Sequence, residues 1–337
     1  MIAFDPSRYI EVQSGAVGLA GAIHSAVGRC LSEGAQNIFF MGTGGAAILM
    51  LPAAQLLQRR GTMTAYADLS AELVTGGHAQ LGPHSIVVIP SVSGTTKESV
   101  ELLELCRARG AAVIALVGHP DTPIGNSADH AFINFADDSS ACESLHLQGQ
   151  LVALSVLHHR GELANYTEIV AQLQMLPALL ATVKDQFDPV ARTQSEQMAN
   201  ETYHMMTAAG NCWPQTWYYA MCMIEEMQWI RTRPIHAADF FHGGFELVEK
   251  GISIMIFKGE DAHRPLAERV ESFARQYSDR VFVLDTVDFD LTGLSSEVRA
   301  LASPAILAAA QYRLIEHLAV RREHDLKIRR YYRKVNY

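Results

Sequence analysis

A histidine in a glycine-flanked turn is the first residue of this sequence that is suited to move protons. His242 lies within ADFFHGGFELVEKG, between two phenylalanines and two glycines. Glycine lets the backbone turn sharply and lets a ligand approach closely, and an imidazole gains or loses a proton near neutral pH. The alternative is a turn whose half-buried histidine bonds a backbone carbonyl. The pattern is compatible with an acid–base site but does not establish one by itself.

A glutamate on a predicted helix is the second such residue. Glu226 is one of two adjacent acids in WPQTWYYAMCMIEEMQWIRT, whereas Glu225 faces the polar side, near Gln228 and Thr232. The neighbours of Glu226 at helical spacing are almost wholly apolar: Tyr219, Cys222, Met223, Trp229 and Ile230. A carboxylate on an apolar face is costly unless it is paired or protonated, and such surroundings tune a general base. We expect a buried, catalytic Glu226 and a Glu225 that reaches water; a Glu226 that extends to solvent or caps a helix is the alternative.

A hydroxyl-rich segment, SVSGTTKES, is a candidate phosphate site. It follows the predicted strand SIVVIP and leads into a helix. Hydroxyls and backbone N–H groups at a helix N-terminus bind phosphate, and the helix dipole favours negative charge. Such a site needs no strong positive charge, which suits a monophosphate better than a polyphosphate. Ordinary capping uses one hydroxyl, whereas this segment supplies five: Ser91, Ser93, Thr95, Thr96 and Ser99.

The glycine-rich turn GTGGAA gives the main competing signal. It lies between a predicted strand and a predicted helix in the GxGxxA pattern of dinucleotide sites, with Asp68 or Glu72 available for a ribose. That pattern is weak alone, and it leaves the hydroxyl-rich segment and an internal repeat unexplained. We therefore assign Gly42, Thr43 and Gly44 to the phosphate site, with Glu72 as a supporting candidate. The pattern GxxxxGK[ST] is absent, which disfavours nucleoside triphosphate chemistry.

The order of the strands and helices that carry these residues indicates an α/β fold with an internal repeat. The strands NIFFM, SIVVIP, AAVIALV and HAFINF are apolar on both faces, as buried parallel strands are, and helices alternate with them. In the second half, YHMMTAAGN, GISIMIFKGED and RVFVLDT repeat this order. The sequence predicts two lobes, each a doubly wound, mostly parallel sheet flanked by helices. We expect a helical lead-in over 1–35, a first lobe over 36–160, connecting helices over 161–195, a second lobe over 196–325 and a tail over 326–337.

Composition and charge disfavour several function classes. The chain has 337 residues and a formal net charge of −9, and its one basic run is RRYYRK near the C-terminus. Binding to nucleic acid or to an acidic membrane is not expected, because both need clustered Lys and Arg. The N-terminus lacks a signal-peptide pattern, and no apolar run approaches the roughly 20 residues of a membrane span. The five scattered cysteines, without a CxxC pair, are typical of reduced thiols, so we expect a cytoplasmic protein.

Taken together, these motifs resemble the sugar isomerase (SIS) domain family of phosphosugar enzymes, as two SIS lobes over nearly the whole chain. The resemblance is closest to bacterial deglycases of 6-phosphorylated Amadori compounds, in EMQWI, IHAADFFHGGFE and the terminal RRYYRKVNY. The isomerase half of glucosamine-6-phosphate synthase is similar in its Ser-x-Ser-Gly-x-Thr loop and Gly-Glu-x-x-His-Gly-Pro motif. Here Asp239 replaces the Glu of that motif, Gly244 replaces its Pro, and Gly44 stands where the synthase has a phosphate-binding Ser. These departures bear on the substrate more than on the reaction class.

The resemblance implies that Glu226 and His242 form the catalytic pair and that Ser91, Ser93 and Thr96 bind a sugar phosphate. It implies hydrolysis of a fructosyl or related glycated amino acid 6-phosphate to glucose 6-phosphate and an amino acid, with no cofactor. It also implies a homodimer in which the histidine reaches a pocket shared with a second subunit. No metal is expected, since no HxH or HExxH pattern occurs.

Two alternatives to this function stay open. One alternative is aldose–ketose isomerisation or amination of a phosphosugar through the same enolisation. The other is a non-catalytic SIS regulator that binds a sugar phosphate.

We expect the tail RRYYRKVNY to fold over the active site or a dimer interface, with Arg329 or Arg330 meeting an acid. The supporting candidates from the histidine motif and the tail are His236, Asp239, Arg330 and Tyr337.

Overall fold

Two parallel β-sheets organise the chain, one in each of its two units. The computed structural model describes residues 2, 4–137, 140–332 and 334–335. The N-terminal unit comprises Pro6–Ala178, and the C-terminal unit comprises Leu179–Tyr337 together with Met1–Asp5. Across the described residues, no helix combines the length and apolar character that crossing a membrane requires.

The N-terminal unit alternates helices with five parallel strands. In chain order the elements are α1 (Pro6–Gly18), α2 (Ala20–Ser32), β1 (Asn37–Phe40), α3 (Gly45–Arg60), β2 (Thr64–Ala67), α4 (Ser70–Gly76), β3 (Ser85–Ser91), α5 (Lys97–Arg109), β4 (Ala112–Val117), α6 (Pro123–Ser127), β5 (His130–Ile133), α7 (Ala141–His159) and α8 (Tyr166–Leu173). The strand order is β2-β1-β3-β4-β5. Every residue of β1 and β3 is buried, because helices cover both faces of a doubly wound sheet. That is why these strands appear in the sequence as continuous apolar runs.

The C-terminal unit repeats this arrangement with four parallel strands. Its elements are α9 (Leu176–Met198), which leads into the unit, β6 (Tyr203–Ala208), α10 (Cys212–Tyr218), a π-helix (Tyr219–Glu225), α11 (Glu226–Gln228), β7 (Arg231–His236), β8 (Ser253–Lys258), α12 (Arg264–Tyr277), β9 (Arg280–Asp285) and α13 (Ser296–Arg321), with 3₁₀ turns at Gly244–Leu247 and Thr286–Asp288. The order β7-β6-β8-β9 matches β2-β1-β3-β4 of the first sheet. The predicted α/β class, with two parallel sheets flanked by helices, is confirmed.

The sequence analysis did not predict two of the strands, and both lie at a sheet edge. β2 and β7 pair on one side only, with β1 and β6 respectively. Most of their residues are partly or fully exposed, so neither strand forms an apolar run. Pro234 lies inside β7, and an edge strand tolerates proline because one side needs no backbone donor.

An apolar core fills the space between each sheet and its helices. In the N-terminal unit, the sheet contributes Phe39, Val87 and Ile89, and α5 contributes Leu102 and Cys106. The corresponding core of the C-terminal unit is formed by Met205, Ile254, Ile256, Val270 and Phe240. Because the cores hold the strands rigidly, the loops at the carboxyl ends of the strands are well placed to carry binding groups.

Candidate active site

The hydroxyl-rich segment follows β3 at the point where the strand order of the first sheet reverses. β1 and β3 are neighbours in the sheet, and their connections continue toward opposite edges. In open α/β sheets, ligands bind in the crevice outside the carboxyl ends of such strands. Thr43, in the loop after β1, places its Oγ1 3.4 Å from Oγ of Ser99 in the first turn of α5. The structure therefore brings the glycine turn and the hydroxyl-rich segment together.

The shape of this segment depends on its hydroxyls and on one glycine. Ser91 Oγ accepts the N–H of Gly94 at 3.1 Å and lies 3.4 Å from Thr96 Oγ1. Gly94 adopts φ +63°, and a Cβ there would collide with the hydroxyl of Thr122. Thr96 occupies the N-cap of α5 without capping the helix through its side chain. Since the first amides of a helix have no partner within the helix, this start of α5 suits an anion.

The matching loops of the C-terminal unit already hold a carboxylate. Asp261, which follows β8, accepts the N–H of Asn211 and the N–H of His263, each at 2.9 Å. A Cβ on Gly210 would collide with this carboxylate, so the acid fits tightly against the loop after β6. The corresponding segment of the N-terminal unit carries hydroxyls and no acid between Ser91 and Thr96. Only the N-terminal unit therefore presents an anion site of this kind in the described residues.

Glu226 is not buried, contrary to the prediction from helical spacing. Its side chain is 38% exposed, and its Oε1 accepts a hydrogen bond of 2.7 Å from Nε of Arg329. The backbone forms a π-helix up to Glu225 and then only three residues of α-helix, which end at Trp229 with φ +57°. A spacing of 3.6 residues per turn does not apply to this segment, so the predicted apolar neighbours do not enclose the carboxylate. Such π-helical turns occur frequently at functional sites.

Glu225 is partly exposed, so it reaches solvent as predicted, and it is also tied to the neighbouring strand. Its Oε1 accepts the N–H of Thr232 at 3.1 Å and the hydroxyl of the same residue at 2.6 Å. These bonds link the end of the π-helix to β7. The two adjacent glutamates do not differ in burial as expected, since both are partly exposed. They differ in their partners: Glu225 accepts hydrogen bonds from Thr232, and Glu226 accepts one from Arg329 of the tail.

A pocket of about 490 Å³ opens beside the two glutamates. The tail forms part of its wall, and the Cζ atom of Arg330 lies 4.0 Å from the ring centroid of Trp229. The expected contact between a tail arginine and an acid is confirmed by Arg329 and Glu226, whereas Tyr337 lies outside the described residues. The pocket is lined by Glu225, Glu226, Trp229, Ile230, Arg231, Arg329, Arg330, Tyr331 and Tyr332.

Trp229 and Arg231 are pocket residues that the sequence analysis did not identify. Their position directly after the glutamate pair, in EEMQWIR, was the available signal. Helical spacing placed Trp229 on a buried stripe, yet it is 37% exposed. Its left-handed backbone ends the helix and directs the chain into β7.

His242 lies on an exposed turn after β7. Its N–H donates to the carbonyl of Asp239 at 2.9 Å, and Gly243 follows with φ +128°, a conformation that favours glycine. Gly244 is buried, and a Cβ there would lie 2.6 Å from Cδ1 of Ile235. The turn thus requires Gly243, whereas a side chain at Gly244 would have to displace the end of the Ile235 side chain. His242 is not among the residues that line the pocket beside Glu226.

The remaining supporting candidates lie at or near the surface. Glu72 is exposed on α4, and Asp239 is exposed in the turn that leads to His242. His236 ends β7, where its Nδ1 lies 3.0 Å from the N–H of Ala238 and its ring packs 5.4 Å from that of Trp213. The structure joins Asp239 to His242 through a backbone carbonyl.

Comparison with known proteins finds one matching family model and similarity to deglycases and phosphosugar enzymes. Residues 33–160 match the SIS domain family. Over 304 residues the chain is 28% identical to fructosamine deglycase FrlB of Bacillus subtilis. The alignment covers 89% of this chain and 92% of that protein. Over 311 residues it is 25% identical to fructoselysine 6-phosphate deglycase of Escherichia coli, with coverage of 92% and 89%.

A solved structure has the same fold along nearly the whole chain. The crystal structure of a candidate phosphosugar isomerase from Bacillus subtilis aligns with a TM-score of 0.85 and 26% identity. The alignment covers 98% of this chain and 100% of that one, so it includes both sheets. Residues 33–160 are therefore a SIS domain, and two deglycases are similar to the chain along most of its length.

Proposed function

We propose that this protein is a deglycase that hydrolyses a 6-phosphorylated Amadori compound, a fructosyl or related glycated amino acid 6-phosphate, to glucose 6-phosphate and the free amino acid. The observation that carries the proposal is Glu226, a partly exposed carboxylate in a pocket walled by arginine and aromatic side chains. The similar deglycases support a role of the phosphosugar deglycase or isomerase type. The hydroxyl-rich segment is assigned to the phosphate.

In this proposal, Glu226 and His242 move the protons. His242 assists the opening of the sugar ring. Glu226 then takes a proton from C1 while the C2 carbonyl oxygen gains one, which gives an enaminol. Protonation at C2 produces an aldimine at C1; water adds to C1, and the C1–N bond breaks to release the amine. Each acid–base step typically contributes about 10² to 10⁴-fold.

Binding of the phosphate supplies orientation, and we assign it to the loops after β1 and β3. Ser91, Ser93, Thr95 and Thr96 would donate hydroxyl or backbone hydrogens to its oxygens. Anchoring one end of the substrate reduces the entropy that the reaction must lose. The proposal includes a homodimer, in which the exposed His242 serves the pocket of a second copy. It also includes a cytoplasmic location.

The direct test is product analysis with a panel of 6-phosphorylated fructosyl amino acids. We expect equal amounts of glucose 6-phosphate and free amino acid, measured by a coupled dehydrogenase assay and by chromatography. Fructose 6-phosphate, with and without an amine donor, is the parallel substrate. If fructose 6-phosphate is converted and the fructosyl amino acid 6-phosphates release no amino acid, the isomerase or amination alternative is favoured. Binding of sugar phosphates without any turnover would favour the regulator.

Ser93→Ala tests the assignment of the phosphate to the hydroxyl-rich segment. Ser93 is half-buried, and its Oγ accepts the N–H of Thr95 at 3.3 Å. We expect KM for the phosphorylated substrate to rise by about tenfold, the loss of about one charge-assisted hydrogen bond. The unphosphorylated analogue should show no matching loss, and the thermal midpoint should change little. Equal losses for both substrates would mean that this serine does not contact the phosphate.

A further inference from the structure

The pocket beside Glu226 carries more positive than negative charge. Three arginines line it, Arg231, Arg329 and Arg330, against two glutamates, Glu225 and Glu226. Arg329 pairs with Glu226 at 2.7 Å. Within the described part of the chain, neither Arg231 nor Arg330 pairs with a carboxylate. In a chain of formal net charge −9, two guanidinium groups without acidic partners in one pocket indicate a place for an anion.

Arg330 is held in position by an aromatic ring. Its Cζ atom lies 4.0 Å from the ring centroid of Trp229, and the other contact of this ring is His324, whose centroid is 4.4 Å away in an edge-on arrangement. A guanidinium that stacks on a ring directs its N–H groups outward in its own plane, where a planar carboxylate can bind through two parallel hydrogen bonds. Arg330 is therefore suited to a carboxylate.

The proposed reaction indicates which carboxylate this is. Glu226 acts at C1 of the sugar, and the amine is bonded to C1, so the groups attached to the amine nitrogen belong beside Glu226. In an α-amino acid, the carboxylate is two bonds from that nitrogen. The phosphate is assigned to the hydroxyl-rich segment, so it does not account for the arginines of this pocket. We infer that Arg330, assisted by Arg231, binds the α-carboxylate of the amino acid joined to the sugar and determines the choice of substrate; this inference rests on the proposed function.

A pair of nearly isosteric substrates tests the inference. Fructosyl-glycine 6-phosphate carries the carboxylate, and fructosyl-glycinamide 6-phosphate replaces it with a neutral amide. We expect the wild-type protein to prefer the glycine compound by at least about tenfold in kcat/KM, because bonds between charged groups contribute about that much. Arg330→Met should remove most of this preference, because kcat/KM for the glycine compound should fall far more than kcat/KM for the glycinamide compound. Arg330→Lys should restore part of it, since lysine keeps the charge but lacks the fork.

Matched variants and the remaining outcomes keep the test decisive. Arg109→Met removes an exposed arginine at the far end of α5 and should leave the preference intact, whereas Arg231→Met should lower it in the same direction as Arg330→Met. Equal cleavage of both substrates by the wild-type protein would overturn the inference and leave the proposed function standing. Equal losses for both substrates in Arg330→Met would also overturn it. If the wild-type protein cleaves neither substrate, the proposed function fails and the inference falls with it.

Discussion

Glu226→Gln is expected to lower kcat for a phosphorylated Amadori substrate by about 10² to 10⁴-fold, the usual contribution of one general base. An amide cannot take the proton from C1, yet it has almost the same size as the carboxylate. Its oxygen can still accept the Nε–H of Arg329, the bond that the wild-type carboxylate accepts at 2.7 Å. Substrate affinity from calorimetry and the thermal midpoint should therefore remain close to wild type while steady-state release of the amino acid collapses.

Glu225→Gln provides the matched control on the adjacent residue. The wild-type carboxylate accepts two hydrogen bonds from Thr232, and a glutamine oxygen can accept both. This variant should keep most of the wild-type kcat. An inactive Glu225→Gln together with an active Glu226→Gln would reverse the assignment of the two acids.

Solvent deuterium should enter the sugar at C2 during wild-type turnover, because protonation there is required.

His242→Asn is expected to lower kcat by at least about 10²-fold, the scale of one general acid or base. The histidine is exposed on a turn whose shape depends on Gly243, so asparagine should not disturb the fold. His84→Asn is the control, because His84 is exposed directly before β3, at the opposite end of that strand from the phosphate loop. A His242→Asn protein with near-normal kcat would remove this residue from the mechanism.

Mixing the two inactive variants tests whether His242 serves a second copy of the chain. In a homodimer with shared sites, a mixed dimer of Glu226→Gln and His242→Asn subunits has one site with both changes and one with neither. After statistical exchange, activity should recover to about a quarter of wild type. Mixed dimers that stay inactive would show that each chain uses its own histidine.

Local sequence patterns were sufficient for the central strands, the repeat and the candidate loops. The central strands are covered on both faces, so burial demands continuous apolar runs that are visible without any structure. The hydroxyl-rich segment is likewise local, because a strand, a loop and a helix start follow each other in the chain. Edge strands carry no such demand: β5 and β9 still form apolar runs, but β2 and β7 do not, and they were missed.

The environment of Glu226 was decided by the tertiary structure alone. Helical spacing assumes 3.6 residues per turn, and the π-helix at Tyr219–Glu225 breaks that assumption. The partner of the carboxylate, Arg329, is 103 residues away in the chain, and no local pattern specifies which tail arginine reaches which acid. Residue types and spacing therefore indicated which groups could do chemistry, but contacts between distant segments determine the exposure and the partners of those groups.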